Sequence, residues 1–256
     1  MDWDDILDDE RWDDDLEGTL SEDERSDAAS EDDALLKELT VGLQMSLEQL
    51  EHEQPLISRK ETSNLFSVER ELINSREYHE KFEALPVSKA LQESLYVQSG
   101  RLLEFVDGLP EDEMGQERLL AVNFRTGEFL VDNFGRGGSV NRTRFNDEEM
   151  ERIDQCRDSI AIIHNHSKSD IPSGQDLLTY LRNDKIKLSL IVCHNGDLYA
   201  ICWVRSSFKK QYEEFLESAK KETTKMEAAK RLATTRIYRV NEQLSDRHKF
   251  FCVIKL

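Results

Sequence analysis

The stretch Ile162–Leu178, "IIHNHSKSDIPSGQDLL", decides how the chain reads. An apolar run stops at His164, Asn165 and His166, and a polar turn follows. Ser173 and Asp176 then open a helix, with Leu177, Leu178 and Leu181 facing a core. On a strand, residues two apart face the same way, so His164 and His166 present both imidazoles to one point where the strand ends. Asp176, in the first turn of the next helix, can bring its carboxylate to that point. Two histidines and one carboxylate leave a fourth tetrahedral position for water, the arrangement of a hydrolytic zinc site. Zinc there lowers the water's pKa to about 7. A separate carboxylate must take the water's proton and pass it to the leaving amine. Ser173, one turn before Asp176, can donate a hydrogen bond to the oxyanion. Each piece also has a plainer reading. Ser-x-x-Asp at a helix start is a capping box, and two histidines after a strand can be a polar turn. The combination favours the metal, because it is much rarer than its parts.

The surroundings supply a scaffold. "ERLLAVNFRTGEFLVDNF", Glu117 to Phe134, reads as a β-hairpin turning at Arg125-Thr126-Gly127. Asn146, with Glu149 three residues on, starts a short helix ending near Cys156. Ser159 to Ile163 is a buried strand, and "KLSLIVCHNGDLYAICWV" is a second hairpin around Asn195-Gly196. Hairpin, helix, strand, helix, hairpin in that order predicts an α/β sheet flanked by helices. Val87 to Leu109 reads as a helix before this core. Beyond Val204, Tyr212, Phe215, Ala219, Met226 and Ala229 fall at helical spacing through about Thr235, and "KFFCVIKL" is a closing strand. The division expected is a disordered acidic arm at 1–33, a helical region with linker at 34–109, the zinc domain at 110–204 and a helical extension at 205–256. Leu36, Leu39, Leu43, Leu47 and Leu50 form one stripe of an amphipathic helix in the second of these.

"HNHSKSDIPSGQD" resembles the metal signature of the JAB/JAMM (MPN) metallopeptidases: His-x-His, a spacer, then Ser-x-x-Asp. The "HNH…PS..D" form looks most like the RadC-type branch. The resemblance covers Glu117 to Val204, and "NSREYHEKFEALP" and "GRLLEFVDG" look like segments that precede such domains in phage-associated and mobile-element proteins. It implies a JAB/MPN-like, cytidine-deaminase-like sheet. It also implies zinc held by His164, His166 and Asp176, with Ser173 on the oxyanion side. The family's general base is a glutamate on an early strand; Glu117 is the best match and Glu128 the second. The activity implied is hydrolysis of a peptide or isopeptide bond in a protein or peptide substrate. The spacer is one residue shorter than the family's pattern, and Ser167 stands where that pattern has proline. The rival reading is a JAB-fold interaction module, weakly active or inactive, that binds a protein partner through the acidic arm and flanking helices.

Composition narrows the classes further. Residues 1–55 carry 21 Asp/Glu against 3 Lys/Arg, so nearly all of the chain's net charge of −19 lies there. Such an arm repels nucleic acid and anionic lipid and attracts a basic protein partner. Trp3, Ile6, Trp12 and Leu16 interleave its acids in the manner of a short linear motif. The literal "HNH" does not make a nuclease, whose key residues spread over a ββα unit and whose substrate calls for a basic groove. A zinc deaminase needs His-x-Glu and Pro-Cys-x-x-Cys, and "GRGGSVNRTR" lacks the Lys-Ser/Thr of a phosphate loop. The cysteines (Cys156, Cys193, Cys202, Cys252) have no C-x-x-C spacing and, with three of them in apolar strands, read as buried free thiols. With no signal-like or spanning segment, the expectation is a soluble, cytoplasmic protein. His194 reads as a turn residue and His52, His79 and His248 as surface residues.

Overall fold

A computed structural model describes residues 67–110, 112–135, 143–167 and 171–256. The expected acidic arm and the Leu36–Leu50 helix lie outside these. The described helices are α1 (Arg70–Ile73), α2 (Arg76–Glu83), α3 (Lys89–Asp107), α4 (Asp147–Gln155), α5 (Gly174–Arg182), α6 (Ser207–Glu222) and α7 (Met226–Gln243). The strands are β1 (Leu119–Asn123), β2 (Phe129–Asp132), β3 (Ile160–His166), β4 (Ile186–Cys193), β5 (Leu198–Val204) and β6 (Phe251–Lys255). They form one mixed sheet in the order β2-β1-β3-β4-β5-β6. β3 and β4 run parallel and every other pair antiparallel. A parallel pair needs a crossover, and α5 supplies it.

Both hairpins turn on a glycine in the left-handed region, Gly127 at φ 76° and Gly196 at φ 80°. Side chains with a Cβ rarely adopt that conformation. At the far side of β3, Asn146 and Glu149 form a complete capping box at the start of α4.

The strand alternation fixes two faces. Leu120, Val122, Ala161, Ile163, Leu188, Leu190 and Val192 pack with Leu91, Leu95, Leu102, Leu103 and Val106 of α3. Leu119, Ala121, Ile160, Ile162 and Ile186 pack on the other face with Ile153 and Met150 of α4. Burying a large aliphatic side chain of this kind stabilises by roughly 1.5–3 kcal/mol, so the stripe on α3 alone anchors that helix firmly. One core thus joins residues on both sides of 109/110, and the β5–β6 pairing spans 204/205.

Three details differ from the expectations. The helical spacing beyond Val204 is two helices, broken between Glu222 and Met226, and Met226 is exposed at that break. Thr223-Thr224-Lys225 carries no apolar anchor to continue the stripe. Among the cysteines, all of them free, only Cys193 is buried. Leu181 is half-buried where Leu177 and Leu178 are buried. Among the described residues, no helix is long and apolar enough to cross a membrane.

Candidate metal centre

β3 continues through both histidines, to His166. Ile160, Ile162, His164 and His166 therefore share the α4 face, while Ala161, Ile163 and Asn165 turn towards α3. The imidazoles emerge at the carboxyl end of the parallel β3–β4 pair, where open α/β sheets form their crevices. His164 is 5% exposed. Its Nε2 stands 3.2 Å from Nε2 of His166. Two lone pairs that close repel unless a proton or cation lies between them.

Asp176 approaches from α5. Its Oδ1 is 3.4 Å from His164 Nε2 and its Oδ2 3.8 Å from His166 Nε2. The two readings of Ser-x-x-Asp prove compatible. Ser173 N–H donates to Asp176 Oδ2 at 2.7 Å, and Asp176 N–H donates to Ser173 Oγ at 3.2 Å, a complete capping box. One carboxylate oxygen closes the helix start and the other faces His164. Among the described residues, His164, His166 and Asp176 offer ligand atoms within 4.8 Å of one another, a group that could hold a metal ion. Two donors about 2.05 Å from one zinc in tetrahedral array stand about 3.3 Å apart, close to the observed separations. The donor set, two imidazoles and a carboxylate, fits zinc. The shortened spacer, whose residues 168–170 are outside the described set, does not keep Asp176 from the histidines.

Glu117 lies two residues before Leu119. Leu119 pairs with His164, so the antiparallel register carries Glu117 to His166. Its Oε1 is 3.8 Å from His166 Nε2, with the side chain 16% exposed. Glu128 is elsewhere: exposed, in the turn before β2, at the opposite end of β1 from His164. Four residues of strand at ~3.3 Å each put it roughly 13 Å away along the sheet.

Burial pushes the Glu117 carboxyl up to about 8; the charge of His164 pulls it down and Asp176 pushes it up. Burial also raises Asp176, but the hydrogen bond and charge of His164, the charge of His166 and the Ser173 bond bring it well below the usual carboxylate range. His164 is lowered by burial and raised by the Asp176 hydrogen bond and charge and by Glu117, with a net rise.

Two residues near the site escape the motif. Asn165 is fully buried and His194 is 1% exposed. His194 does lie in the turn after β4, as expected, but as a buried group with its Nε2 3.0 Å from Asn165 Nδ2. The sequence held a signal for Asn165: an amide between two histidines that share one face of a strand must turn to the other face, here the core against α3, where it needs partners. His79 is half-buried, beside Glu83 and Glu93 and edge-on to the Tyr96 ring.

No protein-family model matches the chain, and no curated protein or solved structure matches it either.

Proposed function

We propose that the protein is a zinc-dependent hydrolase of JAB/JAMM type, cleaving a peptide or isopeptide bond in a protein or peptide substrate. The observation that carries this reading is the convergence of His164, His166 and Asp176 at tetrahedral spacing, with a half-buried glutamate beside them. The residues that would hold zinc are those three, and zinc supplies Lewis acidity that brings a water's pKa to about 7.

Glu117 takes the proton from the attacking water as the water oxygen bonds to the carbonyl carbon. A carboxylate within reach of the attacking water is suited to that role, and Glu117 Oε1 stands 3.8 Å from His166 Nε2. When the C–N bond breaks, Glu117 returns the proton to the departing amine. Ser173 Oγ accepts from Asp176 N–H, so its own hydrogen is directed elsewhere and can meet the oxyanion. Asp176, held by the cap, keeps one oxygen turned to the histidines. The JAB/MPN-like description of the sheet belongs to this reading, as does the RadC-like branch.

Metal content by mass spectrometry tests it, on the wild type and His166→Ala after zinc incubation. The expected result is about one zinc per chain in the wild type and loss of it in the variant. No zinc in either overturns the hydrolase and leaves an interaction module built on the same sheet.

A further inference from the structure

We propose that Asn165, backed by His194, is a positioning residue for Glu117; the proposal rests on the zinc reading above. Glu117 lies just before β1, outside the regular ladder, yet its carboxylate must stand at a fixed place beside the imidazoles. Asn165 holds the main chain on both sides of it. Arg118 N–H donates to Asn165 Oδ1 at 2.7 Å, and Asn165 Nδ2 donates to the Gln116 carbonyl at 3.3 Å. Asn165 N–H also donates to the Arg118 carbonyl at 3.3 Å. The side-chain amide thus takes over where the β1–β3 ladder ends.

The amide's orientation follows from its partners. A backbone N–H can only donate and a carbonyl can only accept, so Oδ1 faces Arg118 and Nδ2 faces Gln116. His194 Nε2, 3.0 Å from Nδ2, must then be the acceptor, which puts the imidazole proton on Nδ1. His194 is itself fixed by its main chain: its N–H donates to the His166 carbonyl at 3.1 Å, and its carbonyl accepts from Glu69 N–H at 2.8 Å. One side chain therefore ties the ligand strand, the base and the β4–β5 turn together. Were Asn165 only filler for the α3 face, an aliphatic residue like Ile163 two positions earlier would serve.

The test uses zinc and acetohydroxamate as probes of the full chain. A hydroxamate on zinc shares its proton with a neighbouring carboxylate, so its affinity reads the placement of Glu117 without turnover. Asn165→Ala is expected to weaken acetohydroxamate about tenfold with zinc affinity unchanged, in the range typical of groups that orient a metal site from behind. Combined with Glu117→Gln, it should add no further loss. His194→Ala, which leaves the amide in place, should give a smaller loss that likewise disappears with Glu117→Gln, and it decides the matter if Asn165→Ala does not fold. Unchanged hydroxamate affinity in a folded, zinc-bound variant, or equal losses with and without Glu117, overturns the proposal while leaving the zinc reading intact. Failure of the zinc-loaded wild type to bind acetohydroxamate overturns it as well. A wild type that takes up no zinc sinks both, and is told apart by that fact.

Discussion

At the scale of single residues, the site is built from groups whose ordinary chemistry is altered by burial. Glu117 keeps its proton in the folded, metal-free protein up to about pH 8, against an ordinary value of 4.5. The unfolded chain has released that proton well below, so between these values the folded state binds more protons. Stability must then fall as pH rises through that window. His164, also raised, contributes a slope of the same sign, present in Glu117→Gln as well. Asp176, depressed, contributes stability that is lost only as pH falls below its ordinary 3.8. The metal-free wild type should therefore lose melting temperature relative to Glu117→Gln from pH 5 to 8; parallel curves would mean that Glu117 is ionised throughout. The histidines and Asp176 were legible because their motif is local, lying within one strand and the next helix. Glu117 was only a best match, since nothing adjacent marks it. Its place follows from the register that carries it to His166, which no single segment contains. Asn165 and His194 were less legible still: each meets its partners only across strands.

Among elements, α5 has two tasks at one end. The same Ser173–Asp176 box that starts the helix aims the carboxylate, and substitutions can separate the two. Asp176→Asn keeps an oxygen to accept from Ser173 N–H, so helix and fold should survive while zinc binding is lost. Ser173→Ala removes the cap acceptor and should cost about 1 kcal/mol, with zinc weakened rather than abolished. Denaturant melts paired with zinc titrations check both; equal zinc loss in the two would mean that the carboxylate binds only when the Ser173 cap holds it. Behind α5, Gly174 N–H donates to Thr234 Oγ1 of α7 at 3.0 Å. The Tyr212 ring of α6 lies only 2.1 Å from where a Cβ at Gly174 would stand. The C-terminal helices therefore brace the ligand-bearing helix at its first residue. The hairpins and helix starts were readable from Gly, Asn and capping residues, which act locally. The break between α6 and α7 was not, because the charged helical pattern resumes directly after Thr223-Thr224-Lys225 and only the packing of α6 on α7 requires the turn.

For the whole molecule, every proposed ligand hangs from an element that its own contacts secure: the β-ladder for the histidines, the capping box for Asp176. On the reading proposed above, zinc would add to a finished fold, unlike the metal of a zinc finger, which is itself the folding energy. Chelation should leave the far-ultraviolet circular dichroism unchanged while removing the metal; collapse of that signal would show that the metal holds the sheet together. β3 has a further consequence. Each hairpin joins strands adjacent in sequence, whereas β6 reaches β5, and β3 reaches β1 and β4, only across long intervening segments, and such pairings are the slow ones in folding. Both imidazoles ride on this strand. In refolding from denaturant with zinc present, metal capture should lag the early collapse and keep time with the last, slowest phase, so the ion serves as a clock for the moment when the two halves of the sheet become one.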